Sequence, residues 1–250
     1  MSGHSKWSTI KRQKGANDAK RGAVFTKMAR EISVAARQGG GDPDANYRLR
    51  LAIEKARSVN MPADNIKRAI DKAAGAGEGE QYEEIVYEGY GPGGVAVLVE
   101  AQTDNRNRTA AEVRSIFTKL GGQLAGSGAV AWQFEPRGVI SVDRDGRDAD
   151  EVGLAAIDAG AEDVETSDDD RIEIYTSPGD LEAVRRTLEG AGMPVESAEQ
   201  AMVAKQTVEL DAHRARQALR LVEMLEDLDD VSRVSANFDI PEEVFAEVAG

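Results

Sequence analysis

Hydrophobic residues recur three or four positions apart through the amino-terminal part of the chain, the spacing of helices with one buried face. The pattern breaks at two places, Gly39-Gly40-Gly41 and Asn60-Met61-Pro62, and so predicts three helices. We expect the first to begin at Asn17 or Asp18, which can cap it, and the second to restart at Pro43. Three amphipathic helices with short connections predict a small bundle.

From Ile85 onward the pattern changes to short β-rich runs that alternate with helical segments. Two strands come first, and a helix and a third strand at Ala129–Phe134 follow them. Residues 138–204 then show the order strand, helix, strand, strand, helix, strand, which is the ferredoxin-like arrangement. The tail adds a helix from Asp211 to Leu228 and a strand near Val231–Phe238.

These elements predict an α+β protein in which one module is inserted into another. We expect a basic helical domain with a flexible N-terminal arm at 1–78. A middle α+β domain combines 79–135 with 205–250, because the tail supplies the helix and the strand that 79–135 lacks. An inserted ferredoxin-like α+β domain occupies 136–204. The fold class is thus an N-terminal three-helix domain followed by two α/β sandwich (ferredoxin-like) domains, one inserted in the other.

Charge is distributed unevenly along the chain. Residues 1–72 hold 16 Lys and Arg against seven Asp and Glu, whereas residues 73–250 hold 15 against 38. Clustered cations gain free energy on phosphate backbones through counterion release, and an acidic body repels the same polyanion. A basic head on an acidic body therefore predicts that nucleic acid is contacted at one end of the molecule.

The candidate nucleic-acid-binding residues are the cations of the arm and of the first two helices, together with one His and one Trp. Trp7 stands in a polar arm that offers no core to bury it, so its ring is available to stack on a base. The set is His4, Lys6, Trp7, Lys11, Arg12, Lys14, Lys20, Arg21, Lys27, Arg30, Arg37, Arg48, Arg50 and Arg57. The alternative is that these Lys and Arg only solvate their helices. No recognition helix is identifiable, so the pattern favours phosphate contacts over base readout.

Two other segments are open to more than one interpretation. Gly89–Gly94 matches G-x-G-x-x-G, but a β-branched run follows where a dinucleotide site needs a helix, so we expect a turn between strands. The segment Thr103–Thr109 can cap the helix that follows it. Two arginines at a helix N-terminus also favour the binding of an anion. The candidates for such a secondary anion or partner contact are Asn105, Arg106, Asn107 and Arg108.

Catalytic and metal-binding chemistry finds little support in the residues. The chain has no Cys and only two His, His4 and His213. The Asp-rich segment 143–150 resembles a calcium loop, but Gly146 stands at its fourth position rather than its sixth. Asp168-Asp169-Asp170 and the acidic end of the tail helix are expected to be solvated turns and faces. We expect no metal, no cofactor and no small-molecule substrate, and an enzyme is the least favoured alternative.

No apolar run is long enough to span a membrane, and the first twenty residues lack the apolar core of a secretory signal. We therefore expect a cytoplasmic protein without a membrane partner. The absence of Cys fits this expectation.

Five segments occur in the order expected of one known family. They are Gly3-His4-Ser5-Lys6-Trp7, Asp18-Ala19-Lys20-Arg21-Gly22, Gly39-Gly40-Gly41-Asp42-Pro43, Tyr87-Glu88-Gly89-Tyr90-Gly91-Pro92-Gly93-Gly94 and Thr103-Asp104-Asn105-Arg106-Asn107-Arg108-Thr109. Over essentially its whole length the chain resembles the YebC/PmpR family of probable transcriptional regulators, relatives of the mitochondrial translational activator of cytochrome c oxidase. One departure is Ala129, where the family would have Ser in a Gly-Ser-Val turn.

The resemblance implies a cytoplasmic, non-enzymatic regulator of gene expression with a helical N-terminal domain and two α+β domains, one inserted in the other. DNA-binding transcriptional control and ribosome-associated help during translation have both been proposed within the family. We expect DNA binding through the basic N-terminal domain. The alternative is a translation factor that binds ribosomal RNA on the ribosome, which charge alone does not separate because both ligands are polyphosphates. A monomer is favoured.

Overall fold

The computed structural model describes residues 18–74, 82–166, 171–241 and 244. Its helices are α1 (Asp18–Gly39), α2 (Tyr47–Ser58), α3 (Ala63–Ala74), α4 (Arg106–Lys119), α5 (Ala149–Asp158), α6 (Leu181–Gly190) and α7 (Ala212–Glu226). Its strands are β1 (Glu83–Tyr90), β2 (Ala96–Thr103), β3 (Gln123–Leu124), β4 (Phe134–Asp143), β5 (Asp163–Thr166), β6 (Arg171–Thr176), β7 (Val195–Ala204), β8 (Val208–Glu209), β9 (Val231–Ala236) and β10 (Phe238–Asp239). In these ranges no helix has the length and apolar composition needed to cross a bilayer.

The first three helices form a bundle around one apolar core. Ile32 of α1, Leu49 of α2 and Ile66 of α3 meet in this core, and the first two are fully buried. Each comes from the apolar stripe that the sequence spacing predicts, because burying that stripe is what stabilises a surface helix. The three predicted helices are confirmed.

The start of α2 differs from the prediction. Pro43 lies in a turn, and Asn46 caps the helix instead, because its side-chain oxygen accepts a hydrogen bond from the Leu49 amide at 3.0 Å. The side-chain amide of Asn46 donates to the carbonyl oxygens of Ala35 and Gly40, both at 2.8 Å. Asn46 is 6% exposed, so one buried side chain joins the end of α1 to the start of α2.

The second unit combines chain segments from before and after the inserted module. Its antiparallel sheet has the strand order β3-β1-β2-β9, so the tail strand completes the sheet as predicted. Helices α4 and α7 cover one face of this sheet, and their core includes Val97, Phe117 and Leu221. The short strands β8 and β10 pair in parallel beside it.

The third unit is a four-stranded antiparallel sheet with the order β5-β6-β4-β7, covered by α5 and α6. Ile140, Ile172 and Leu188 are fully or almost fully buried between the sheet and the helices. The β-α-β-β-α-β order and this strand order are those of a ferredoxin-like fold. The predicted fold class is therefore confirmed, while the boundaries of the individual domains stay a prediction.

The segment Ala129–Phe134, predicted as a strand, instead forms a bend and a short 3₁₀ turn at Ala131–Gln133, and only Phe134 belongs to a strand, as the first residue of β4. The buried Glu88 carboxylate accepts hydrogen bonds from the backbone amides of Gly128, Val130 and Ala131, at 2.5, 2.7 and 2.8 Å. Burial raises the pKa of Glu88, but these amides outweigh burial and hold the pKa below its usual value. The strand prediction was wrong because the amides of this apolar segment bond to a side chain rather than to another strand.

The Gly89–Gly94 segment joins β1 to β2, as the sequence predicts. The Gly91 amide donates to the Val95 carbonyl at 2.7 Å, and Gly93 and Gly94 have φ angles of 79° and 81°. Such angles are strained for any side chain with a Cβ, which explains the glycines. Because a strand follows, the segment does not present the helix N-terminus that holds a dinucleotide pyrophosphate.

Candidate nucleic-acid interface

The structure describes part of the predicted nucleic-acid-binding set. The side chains of Lys20 and Arg21 lie outside the described residues, although their backbone forms the first turn of α1. The arm residues His4, Lys6, Trp7, Lys11, Arg12 and Lys14 also lie outside them. The cations of the set with described side chains are Lys27, Arg30, Arg37, Arg48, Arg50 and Arg57.

Lys27 and Arg30 reach from α1 to the last residue of α7 and to the turn that follows it. The Lys27 ammonium donates to the carbonyl oxygen of Glu226. Arg30 donates to the carbonyl oxygen of Asp229 at 2.6 Å and pairs with the Asp230 carboxylate at 2.9 Å, and its side chain is only 11% exposed. These two cations hold the helical domain against the middle domain.

Asp230 is the centre of this contact, and we call it and its four partners the Asp230 node. Its carboxylate is 3% exposed. It accepts hydrogen bonds from Thr109 and Arg108 at 2.6 Å and from Thr103 at 2.9 Å, in addition to the pair with Arg30. Burial raises the pKa of Asp230, but the two hydroxyl groups and the two guanidinium groups outweigh burial and lower it. The Asp230 carboxylate therefore stays ionised at neutral pH, and the node connects α1, α4 and the start of β9.

Arg48 extends from α2 to strand β1, and Arg50 extends from α2 to helix α6. Arg48 forms a two-pronged pair with the Glu84 carboxylate, and this hydrogen bonding is the main reason that the pKa of Glu84 is lowered. Arg50 lies 3.7 Å from the Glu182 carboxylate of α6 and over the ring of Tyr47, 5.4 Å from its centroid. Both arginines are therefore engaged in contacts with the acidic part of the chain.

Two of the four residues of the candidate anion or partner site have structural roles, and the other two are exposed. Asn105 caps α4, because its side-chain oxygen accepts a hydrogen bond from the Arg108 amide at 3.1 Å. The Arg108 guanidinium belongs to the Asp230 node, and the hydrogen bond to Asp230 is the largest cause of its raised pKa. Arg106 is 64% exposed and Asn107 is exposed as well. An anion or partner contact at these two residues stays a prediction.

An open cleft of about 410 Å³ lies between α1 and α3. Its lining includes five apolar side chains, Phe25, Ala29, Met61, Ala69 and Ala73, and four cations, Arg30, Arg37, Arg68 and Lys72. The apolar residues are buried or half-buried and form the floor, whereas Arg37, Arg68 and Lys72 are exposed and form the rim. Of the three rim cations, only Arg37 belongs to the predicted nucleic-acid-binding set.

Helix α3 contributes cations that are absent from the predicted nucleic-acid-binding set. Lys67, Arg68 and Lys72 are exposed and alternate with the buried stripe that begins at Ile66. That spacing was visible in the sequence, because a helix that buries one stripe must turn its other positions to solvent. Arg57, at the end of α2, is exposed and forms no ion pair with the described residues.

The acidic end of the tail helix was predicted to be solvated, and this prediction was wrong for Asp230, which is buried because two arginines pair with it. The Asp-rich segment 143–150 provides a helix cap. Asp148 caps α5 by accepting hydrogen bonds from the amides of Asp150 and Glu151, at 2.9 and 3.3 Å. Within the described part of the chain, no group of three or more His, Asp or Glu side chains is arranged to hold a metal ion. Asp168–Asp170 lie outside that part, and His213 is exposed on α7.

Comparison with known proteins shows a likeness over nearly the whole chain. Residues 5–76 match a family model described as the TACO1/YebC protein N-terminal domain, and residues 82–238 match the TACO1/YebC second and third domain. A probable transcriptional regulatory protein of Rubrobacter xylanophilus is 59% identical over all of both chains. Another of that name, from Trichlorobacter lovleyi, is 58% identical over 96% of each chain.

The fold has a counterpart among solved structures. The crystal structure of a conserved hypothetical protein from Aquifex aeolicus superposes with a TM-score of 0.82 at 50% identity. The superposition covers 90% of this chain and 93% of the other. The arrangement of helical bundle and sheets is therefore shared with that protein.

Proposed function

Because the chain belongs to the TACO1/YebC family, we propose that it regulates gene expression by binding nucleic acid through its helical domain. The relatives from Rubrobacter xylanophilus and Trichlorobacter lovleyi are named probable transcriptional regulatory proteins, which favours DNA as the ligand. Ribosomal RNA is the alternative ligand, in a translation factor that acts on the ribosome.

The observation that carries the proposal is the separation of the cations of the helical domain into two groups. One group, which includes Arg30 and Arg48, pairs with carboxylates of the two α+β units. The other group, which includes Arg57, Lys67 and Arg68, is exposed. Docking orients the bundle and pairs the acidic groups nearest to it, so the exposed cations are placed to meet phosphates with little repulsion from the body.

Salt dependence tests the electrostatic part of the proposal. Binding of the full chain to labelled duplex DNA is measured by fluorescence anisotropy between about 50 and about 200 mM salt. If the basic head contacts about five phosphates, log K against log salt has a slope of about −4.5. A slope near zero overturns the proposal.

Two charge variants locate the contact. The α3 variant carries Lys67→Gln, Arg68→Gln and Lys72→Gln. The control variant removes three exposed cations of the middle domain, through Arg114→Gln, Lys119→Gln and Arg220→Gln. The α3 variant is expected to reduce the slope by about 0.9 for each phosphate that it no longer neutralises, and the control variant to leave the slope unchanged. Equal slopes for the two variants would place the contact elsewhere and contradict the proposal.

Co-sedimentation with ribosomes separates the two ligands. Sequence-selective DNA binding that persists at physiological salt, without co-sedimentation, supports the transcriptional role. Co-sedimentation that the α3 substitutions abolish, together with weak and unselective DNA binding, supports the ribosomal alternative.

A further inference from the structure

We propose that the cleft between α1 and α3 receives an unpaired nucleotide, with the base on the apolar floor and a phosphate on the cationic rim. The proposal rests on the proposed function and deepens it, because it makes single-stranded nucleic acid the ligand of this site.

The floor of the cleft suits the face of a nucleobase. Met61 and Ala69 are 6% and 8% exposed, and Phe25 and Ala29 are half-buried beside them. A base has a flat π face on each side, and stacking this face on aromatic and apolar side chains removes it from water. The volume of about 410 Å³ falls within the range of about 300 to 1,000 Å³ that is usual for small-molecule sites.

The rim of the cleft suits a phosphate. Arg37, Arg68 and Lys72 are exposed around the opening. The Arg68 guanidinium is oriented by hydrogen bonds to the side-chain oxygen of Asn65 at 2.7 Å and to the carbonyl oxygen of Asp64 at 3.3 Å. An arginine held in this way presents a planar donor fork, which matches phosphate oxygens. Charge complementarity thus selects an anion, and the floor selects one with an apolar face.

Two polar side chains on the wall of the cleft can form hydrogen bonds with the edge of a base. The Ser33 hydroxyl donates to the Ala69 carbonyl at 3.3 Å, and its oxygen can still accept a hydrogen bond from a base amino group. Asn65 uses its oxygen for Arg68, and its side-chain amide can donate to a base carbonyl or ring nitrogen.

A duplex does not satisfy this geometry. Its bases are stacked inside the helix, and its outer surface is convex, so it can place phosphates on the rim but nothing on the floor. An unpaired nucleotide can turn its base away from the strand and into a concave site. The cleft therefore distinguishes single strands from duplexes, whichever sugar they carry.

Filling the cleft tests the proposal without changing any charge. Thr26 is exposed on α1, lines the cleft, and donates its hydroxyl to the Gly22 carbonyl at 3.1 Å. Thr118 is its match on α4, since it is exposed, does not line the cleft, and donates to the Arg114 carbonyl at 2.9 Å. We would measure binding of Thr26→Trp and of the control Thr118→Trp to labelled single-stranded RNA, to single-stranded DNA of the same sequence, and to the duplex.

We expect Thr26→Trp to weaken binding of at least one of the two single strands about tenfold, which corresponds to about 1.4 kcal/mol. Duplex binding by Thr26→Trp, and every binding constant of Thr118→Trp, should equal those of the unaltered chain. Circular dichroism of each variant verifies that the helices are retained.

The outcomes separate this proposal from the proposed function. If Thr26→Trp binds single strands as tightly as Thr118→Trp does, or weakens duplex binding as much as single-strand binding, the nucleotide site is wrong and the regulator proposal stands. If the unaltered chain binds neither single strands nor duplex, the proposed function fails and the nucleotide site fails with it.

Discussion

Replacing Asp230 with Asn tests whether one buried carboxylate holds the helical domain to the middle domain. Oδ2 of Asp230 accepts hydrogen bonds from Thr103, Arg108 and Thr109, whereas Oδ1 lies 2.9 Å from the Arg30 guanidinium. Asn keeps the shape but has one oxygen and one donor group in place of two oxygens. The least costly orientation keeps the oxygen toward the three donors and turns the amide nitrogen toward Arg30.

The magnitude follows from the burial of the partners. Arg30 is 11% exposed, so the substitution deprives its charge of a partner that water cannot replace. Removing one member of a buried ion pair costs about 3 to 5 kcal/mol. Arg30 keeps its hydrogen bond to the Asp229 carbonyl, and Arg108, which is 44% exposed, can be hydrated. Both facts favour the lower end of this energy range, so the free energy of unfolding should fall by about 3 kcal/mol.

Urea unfolding at neutral pH, followed by circular dichroism, measures this decrease. Asp229→Asn is the matched control, because the neighbouring carboxylate is exposed and the substitution removes the same charge. The control should change the free energy of unfolding by less than about 0.5 kcal/mol. If the free energy of unfolding of Asp230→Asn lies within about 0.5 kcal/mol of that of the control, the Asp230 node does not stabilise the domain contact and the prediction is refuted.

The pH dependence gives an independent check. The pKa of Asp230 is lowered in the folded protein, so its contribution is complete above the pKa of an unfolded Asp, about 3.9. The contribution is lost as the pH falls from there through the folded pKa. The stability gap between the unaltered chain and Asp230→Asn should therefore be constant near neutral pH and narrow below about pH 4. A gap of constant size down to acid pH would contradict the role of the charge.

Two further substitutions test the smaller side-chain anchors of the fold. Asn46→Ala removes the cap of α2 and two hydrogen bonds to the end of α1, and should lower the free energy of unfolding by about 2 kcal/mol. The measurement is urea unfolding against Asn107→Ala, an exposed asparagine whose replacement should be nearly neutral. The two carboxylate oxygens of Glu88 accept hydrogen bonds from three backbone amides of the turn. Glu88→Gln replaces one of these oxygens with a donor and should also lower the free energy of unfolding by about 2 kcal/mol. A cost below about 0.5 kcal/mol in thermal or urea unfolding would mean that the turn does not depend on this carboxylate.

Most elements of the fold could be predicted because their patterns are local. The stripe that includes Ile66 and Ala69 repeats at helical spacing in the sequence and is buried in the structure. The cap at Asn105 is equally local, because the side chain and the amide it binds are three residues apart. The ferredoxin-like order follows from the same periodicity, applied element by element.

The secondary-structure predictions were wrong or incomplete where a residue distant in sequence determines the local structure. The apolar run near Val130 resembles a strand, but Glu88, 42 residues earlier, binds its amide and holds the segment as a turn. The strand at Gln123–Leu124 is only two residues long, too short for a period of two to be visible. Asn46 starts α2 in place of Pro43, because its side chain also reaches the end of α1.

The sequence by itself determined that the cations gather in the amino-terminal part and that this part is helical, because charge and periodicity can be counted along the chain. Only the tertiary structure decided which cations face outward. Arg30 and Asp229 are 199 residues apart in sequence, and the packing of α1 against the segment before β9 brings them within hydrogen-bond distance. The cleft likewise needs both Arg37 of α1 and Arg68 of α3, which become neighbours only when the helices pack. Ion pairing and concavity depend on distances through space, and these distances are set by chain topology rather than by local pattern.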